Sequence, residues 1–207
     1  FMKFTDNLIS GALIKRYKRF FVDVKVNNQI ITAHCPNSGS MLGLLDKNNK
    51  IWISQSNNPK RKLKFTLELI KVKDSLVGVN TIFANKIVLE ALNNKTIKEF
   101  SKFENIKTEA VYDANTRFDF LLKKYDRKVF LEVKNVTLST KENVAEFPDA
   151  ITSRGTKHLT KLMEAKKKGY ESYILYLIQR ENCYQFKIAD KIDIKYKKAF
   201  IEAKKKG

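Results

Sequence analysis

RFDFLLKKYDRKVFLEVK, residues 117–134, decides how the chain is read. Apolar and polar residues alternate on both sides of KKYDRK, the period-two pattern of a β-hairpin. A turn centred between Tyr125 and Asp126 sets Phe118 opposite Val133, Phe120 opposite Leu131 and Leu122 opposite Val129, an apolar face. The other face then pairs Arg117 with Lys134, Asp119 with Glu132 and Leu121 with Phe130. Carboxylates directly across a strand pair repel and destabilise the sheet, unless a divalent cation stands between them. Glu132 and Lys134 are two apart and share a face, while Val133 points into the core and leaves its carbonyl nearby. Asp119, Glu132, the Val133 carbonyl and water form a hard oxygen donor set suited to Mg²⁺ or Mn²⁺. With Lys134 as third catalytic residue, the set has the parts of a metal-dependent phosphodiesterase site. The competing reading is a solvent-facing hairpin with scattered charges.

The surrounding composition favours a polyanionic partner. Forty-one Lys and Arg against 22 Asp and Glu give a net charge of +19, the electrostatic footprint of a nucleic-acid binder. Lysine enrichment from an AT-rich genome accounts for part of the excess, but not for arginines in short basic clusters. A hydrophobic fraction of 43% can fill a core, and the length suits one large domain or two small ones. No run of 18 apolar residues and no charged-then-apolar leader is present, so no membrane is expected and the reading is cytoplasmic. Phe1 ahead of Met2 reads as an added residue, with Met2 the natural start. Cys35 and Cys183, with His34 and His158, are too few and too scattered for a disulfide framework or a zinc site.

Organisation changes along the chain. Phe20–Val26 and Ile30–Cys35 around Asn27-Asn28, then Ile51–Ser54, Leu63–Lys71 and Leu76–Val79, read as short strands of a small β-barrel, residues 1–82. Residues 83–207 read as a mixed α/β unit. Asn85 is expected to cap a helix running to about Phe100, strands follow from Lys107 to Leu138, and Pro148-Asp149 opens a second helix ending at Gly169. SYILYLIQR, 172–180, is apolar on both sides, as at the centre of a covered sheet, and Lys204–Lys206 ends a solvated helix. In the barrel, Lys15-Arg16-Tyr17-Lys18-Arg19-Phe20 interleaves cations with aromatics, the combination that single-strand-binding surfaces use. On a strand, Arg16, Lys18 and Phe20 share one face and Lys15, Tyr17 and Arg19 the other; an edge strand kept soluble by charge is the alternative. Lys60, Arg61 and Lys62 form a second basic patch, and the loop PNSGSMLG, 36–43, is read as a possible source of backbone N–H groups for a phosphate.

Asp119, then Glu132-Val133-Lys134, within an order of helix, three strands, helix and strand, resembles the PD-(D/E)XK nuclease superfamily, with Phe118 where that motif has proline. The resemblance implies a further metal carboxylate on the first helix, for which Glu90 is the candidate, with Glu109 a weaker one. It also implies a phosphate clamp on the second helix, from Arg154, Lys157 and His158, with a capping or buried role the alternative for His158. GALIKRYKRFFVDV (11–24), AHCPNSGSM (33–41), NPKRKLKFTLEL (58–69), EVKNVTL (132–138) and FPDAITSRGTKHLTKL (147–162), taken with RFDFLL, resemble the sugar fermentation stimulation protein family, SfsA. That resemblance implies an α/β (α+β) protein with an N-terminal OB-like barrel and a C-terminal nuclease-like mixed sheet flanked by helices. It implies a DNA-binding protein, DNA favoured over RNA, and leaves a homodimer open. Two functions compete: a Mg²⁺-dependent nuclease, and a non-catalytic DNA-binding regulator of sugar (maltose) metabolism that keeps the nuclease fold.

Overall fold

The computed structural model of the chain describes residues 3, 4 and 7–207, so Phe1 and Met2 lie outside the described residues. Six strands open the chain: β1 (Ile9–Tyr17), β2 (Phe21–Val26), β3 (Gln29–His34), β4 (Lys50–Gln55), β5 (Phe65–Val72) and β6 (Ser75–Gly78). After them come α1 (Ile82–Asn93), a 3-10 turn at Lys98–Phe100, β7 (Asn105–Asp113), β8 (Thr116–Lys124) and β9 (Arg127–Val136). The remainder is β10 (Leu138–Lys141), β11 (Asn143–Phe147), α2 (Ser153–Lys167), β12 (Glu171–Ile178), β13 (Cys183–Ile188) and α3 (Ile194–Lys206).

Two compact units result, and neither is continuous in sequence. One takes residues 1–83, 136–149 and 178–187; the other takes 84–135, 150–177 and 188–207. In the first, the order β3-β2-β1-β4-β5-β6 closes into a five-strand barrel because β3 also pairs β5, in parallel. Alternate residues such as Leu13, Val22, Val24, Ile51, Ile53 and Leu67 fill its interior without solvent exposure. Asn27 and Asn28, at φ 46° and 65°, join β2 to β3; two successive left-handed residues fit the natural twist of a two-residue hairpin turn. A separate sheet, β10-β11-β13, belongs to the same unit. The second unit holds a sheet of order β12-β9-β8-β7. One apolar cluster joins Ala84, Val88 and Leu92 of α1 to Phe120, Leu122, Val129, Leu131 and Val133. Another joins Leu162 and Ala165 of α2 to Ala110, Phe118 and Phe130. The helices therefore cover opposite faces.

Several expectations are corrected. α1 starts earlier than expected, because Asn80 Oδ1 accepts the Ile82 N–H at 3.0 Å, and Asn85 lies inside the helix. It stops at Asn93, where Lys95 turns left-handed at φ 56°, well before Phe100. Pro148-Asp149 does not open α2. Thr152 does, its hydroxyl accepting the Gly155 N–H at 3.1 Å, while Asp149 accepts the Met41 N–H at 2.9 Å. β12 is an edge strand, half-buried along most of its length, and not the centre of the sheet. Lys18, Arg19 and Phe20 are not on a strand: β1 ends at Tyr17 and Lys18 and Arg19 take left-handed φ of 44° and 64°.

Arg16 owes its place to the loop 36–43. Its guanidinium donates to the carbonyls of Asn37 (2.6 Å), Gly39 (2.9 Å), Ser40 (3.3 Å) and Arg19 (2.8 Å). The loop's own donors are also used: Gly39 N–H meets Asn37 Oδ1 at 2.9 Å and Leu42 N–H meets Ser40 Oγ at 3.2 Å. With these and the Met41 N–H, which meets Asp149, three of the loop's backbone donors are already committed. Hydrogen bonds to a charged donor contribute roughly 1.5–3 kcal/mol each and overlap when they share one group. Arg16→Ala is therefore expected to destabilise the protein by about 2–4 kcal/mol in urea unfolding, and Arg16→Lys to recover only part, lacking the planar fork. An Arg16→Ala variant of wild-type stability would show the clamp to be dispensable.

Candidate metal centre

The hairpin forms in the expected register, Phe120 opposite Leu131, Leu121 opposite Phe130 and Leu122 opposite Val129. The regular ladder stops there. One step on, the expected Phe118–Val133 and Asp119–Glu132 partnerships give way: Asp119 Oδ2 accepts the Val133 N–H at 2.7 Å. Phe118 leaves the α1 side of the sheet and packs against Phe130 on the α2 side, ring centroids 5.2 Å apart. On the neighbouring strand Glu109 adopts a left-handed φ of 50°, between the pairs Thr108–Phe120 and Ala110–Phe118. A positive φ reverses side-chain direction within a strand, so β7 and β8 rotate together at this point.

That rotation sends the carboxylates to different supports. Asp119 Oδ1 accepts from the Asn85 amide of α1 at 2.7 Å. Glu132 stays on the α2 side, where Oε1 lies 2.5 Å from His158 Nδ1 and 2.5 Å from Lys134 Nζ. An ionised carboxylate can only accept, so Nδ1 carries the proton between Glu132 and His158. Glu132 is only 3% exposed and its Oε2 has no partner among the described residues. Burial and then the charge of Glu132 push the Asp119 carboxyl above the usual range, against the hydrogen bonds from Val133 and Asn85. Burial also pushes Glu132 up, but His158 and Lys134 outweigh it and hold Glu132 below the usual range. The carboxylates are thus electrostatically coupled, one satisfied by neutral donors and the other by cationic or ring N–H groups.

A polar cleft of about 530 Å³ opens beside Asp119 and His158, with Glu109, Arg117, Arg154 and Lys157 also on its walls. Arg154 is exposed, Lys157 donates to the Asn115 carbonyl at 3.0 Å, and Glu109 faces Arg117 at 3.4 Å. His158 is a buried partner of Glu132, 5% exposed, which corrects its reading as a surface phosphate ligand. Glu90 stands five residues after Asn85 on α1, roughly 140° round the helix axis from it at 3.6 residues per turn. Among the described residues no three His, Cys, Asp or Glu side chains form a metal-holding group. In the barrel, Lys15, Lys18, Arg19 and Lys62 are exposed; Tyr17 donates to Asp23 at 3.1 Å and Arg61 to Thr66 at 3.0 Å.

Sequence reasoning missed Asn85 as a partner of Asp119, and of α3 it read only the solvated end at Lys204–Lys206, not the start at Ile194. Asp193 caps α3, accepting the Tyr196 N–H at 2.9 Å, and its other oxygen takes the Thr152 N–H at 2.8 Å, tying the starts of α2 and α3. Tyr196 is fully buried with its hydroxyl 2.6 Å from that of Tyr176. An acid just before a helical run is a cap signal that was there to be read; nothing local marks Asn85.

The family described as "SfsA N-terminal OB domain" matches residues 14–79, and "Sugar fermentation stimulation protein RE domain" matches residues 82–207. A sugar fermentation stimulation protein homolog of Pelagibacter ubique is 58% identical over 206 residues, covering 100% of this chain and 89% of the relative. The chain belongs to the sugar fermentation stimulation protein (SfsA) family. A homolog from Bartonella quintana is 43% identical over 208 residues. The solved structure of Pyrococcus furiosus SfsA in complex with Ca²⁺ matches with a TM-score of 0.91 at 21% identity, covering 100% of this chain and 87% of that one. That likeness confirms the SfsA fold, an OB barrel with a mixed α/β part.

Gly155 of this SfsA chain reports on how tightly α2 is placed. A Cβ there would lie 2.9 Å from Thr152 Oγ1 and Cγ2 and 3.0 Å from Tyr196 Cε2. Alanine improves intrinsic helix propensity by about 1 kcal/mol, whereas overpacking costs about 1–3 kcal/mol. Gly155→Ala is expected to be net destabilising by up to about 2 kcal/mol in chemical denaturation; a stabilised variant would mean α2 can shift freely.

Proposed function

We propose that this SfsA protein binds DNA and hydrolyses phosphodiester bonds with a divalent cation held at Asp119 and Glu132. The observation that carries the reading is the buried Glu132 Oε2, which has no partner beside a second carboxylate whose own ionisation it disfavours. An unpaired buried carboxylate oxygen costs several kcal/mol unless something positive completes it. Asp119, Glu132 Oε2 and the Val133 carbonyl would hold Mg²⁺ or Mn²⁺, with water completing the shell, as suits a cation that keeps part of its hydration. The P. furiosus SfsA structure is a complex with Ca²⁺, which supports a divalent cation in this chain. When bound, the cation supplies Lewis-acid stabilisation of phosphate charge and activation of water.

The chain's own groups do the rest. Asn85 and the Val133 N–H hold the Asp119 carboxylate from two sides. Lys134, held at Glu132 Oε1, would neutralise a phosphate or orient water. Arg154 and Arg117 on the cleft walls would receive flanking phosphates, and the exposed Lys15, Lys18, Arg19 and Lys62 would track the backbone on the barrel.

Glu132→Ala, Asp119→Ala and Lys134→Ala are each expected to lower Mg²⁺-dependent cleavage of DNA by at least about 100-fold while leaving DNA affinity within a few-fold. Cleavage that persists equally in all three would overturn the nuclease reading; DNA binding without cleavage in the wild type would leave the regulatory, non-catalytic alternative. Affinity should also fall steeply with salt, and Lys18→Ala with Arg19→Ala should reduce the salt slope by about 0.9 for each phosphate that is no longer neutralised. A slope unchanged by the double substitution would place the phosphate path elsewhere.

A further inference from the structure

Glu132 Oε1 is claimed twice and Oε2 not at all. His158 Nδ1 and Lys134 Nζ both meet Oε1 at 2.5 Å, while Oε2 is buried without a partner. A carboxylate free to rotate about its terminal bond would interchange its oxygens, so something must fix the plane. Lys134 is a poor fixer, because an ammonium on a four-carbon stem can follow either oxygen. His158 is a rigid ring on a helix. Its edge is set against Phe118, centroids 6.1 Å apart at 77°, and it is 5% exposed. The helix in turn is held at its start by Thr152, which caps it, and by Asp193, which binds the Thr152 N–H at 2.8 Å. Tyr196 closes on Gly155 from α3, leaving no room for a β-carbon there.

We infer that His158 is a positioning residue that makes Glu132 a one-oxygen ligand, holding Oε1 and presenting Oε2 to the cation and never both. This inference rests on the cation reading above. It differs from the clamp role read from the sequence, since His158 acts through Glu132. Hydrogen-bond partners that orient a metal ligand typically govern affinity by about 10–100-fold. The geometry also names the atom that matters: the donor is Nδ1, the nitrogen nearer the backbone, so a short amide can replace it and a long one cannot.

The test titrates Mn²⁺ alone into the full chain, by electron paramagnetic resonance or calorimetry, with melting temperatures measured without metal. His158→Ala is expected to bind Mn²⁺ about 10–100-fold more weakly. His158→Asn, whose amide N–H falls near Nδ1, should restore most of that loss, and His158→Gln, whose amide reaches toward the position of Nε2, should not. Wild-type affinity in His158→Ala, or equal losses in the Asn and Gln variants, overturns the positioning role while leaving the cation reading intact. A wild type that takes up no Mn²⁺ overturns both. Should His158→Ala fail to fold, the Asn and Gln variants decide the question by themselves.

Discussion

The second unit is organised around keeping Glu132 ionised inside protein. A carboxylate 3% exposed loses most of its hydration, and the cost is several kcal/mol unless cations and N–H donors replace the water. The replacements are specific in position. Lys134 must come from the same strand, two residues on, and His158 must come from α2. α2 is therefore not free to slide, and its start is fixed by the Thr152 cap, by Asp193 and by the absence of a side chain at Gly155. α3 in this view is a brace for α2.

Asp119 solves the same problem differently and less completely. Its two oxygens accept from neutral groups, the Asn85 amide and the Val133 N–H, which stabilise a carboxylate less than a cation does. The signs of the two pKa shifts follow. Glu132, held below its usual range, contributes stability that is present at neutral pH and lost as pH falls through its folded value. Asp119, raised by burial and by Glu132, favours the fold when protonated, and that contribution disappears as pH rises through its folded value. Within the pair, ionisation of Glu132 adds to stability while ionisation of Asp119 works against the fold.

How legible this was depended on how local each determinant is. The hairpin register followed from alternation around KKYDRK and held for Phe120, Leu121 and Leu122. The barrel followed from short alternating strands and the Asn27-Asn28 turn. What failed was the extension of a period-two rule through Phe118 and Asp119, where Glu109 turns left-handed and reverses the faces. No residue type announces that reversal, because glutamate rarely takes a positive φ and does so here only with the surrounding sheet to hold it. Asn85 was read as a cap because asparagine is a good one, but Asn80 five residues earlier took that role and freed Asn85 for Asp119. Asp193 carried a legible cap signal, but its second hydrogen bond, with Thr152, spans 41 residues and has no local trace.

Net charge was the broadest signal in the sequence and the least specific in space. Of the cations singled out, Arg16 is spent on four carbonyls, Arg61 on Thr66, Lys157 on the Asn115 carbonyl and Lys134 on Glu132. Lys15 lies over the Tyr17 ring at 5.4 Å yet remains exposed, as do Lys18, Arg19, Lys62 and Arg154. Composition counts both kinds equally, but only the exposed kind can release counterions when a polyanion arrives. Tyr17 divides in the same way: its hydroxyl is held by Asp23 and its ring stacks on Phe21 at 5.6 Å, leaving Phe20, 42% exposed beside His34, as the aromatic of that segment open to solvent. The exposed basic and aromatic surface of that segment is thus narrower than its sequence suggests, and it centres on the turn Lys18–Phe20, where β1 has ended.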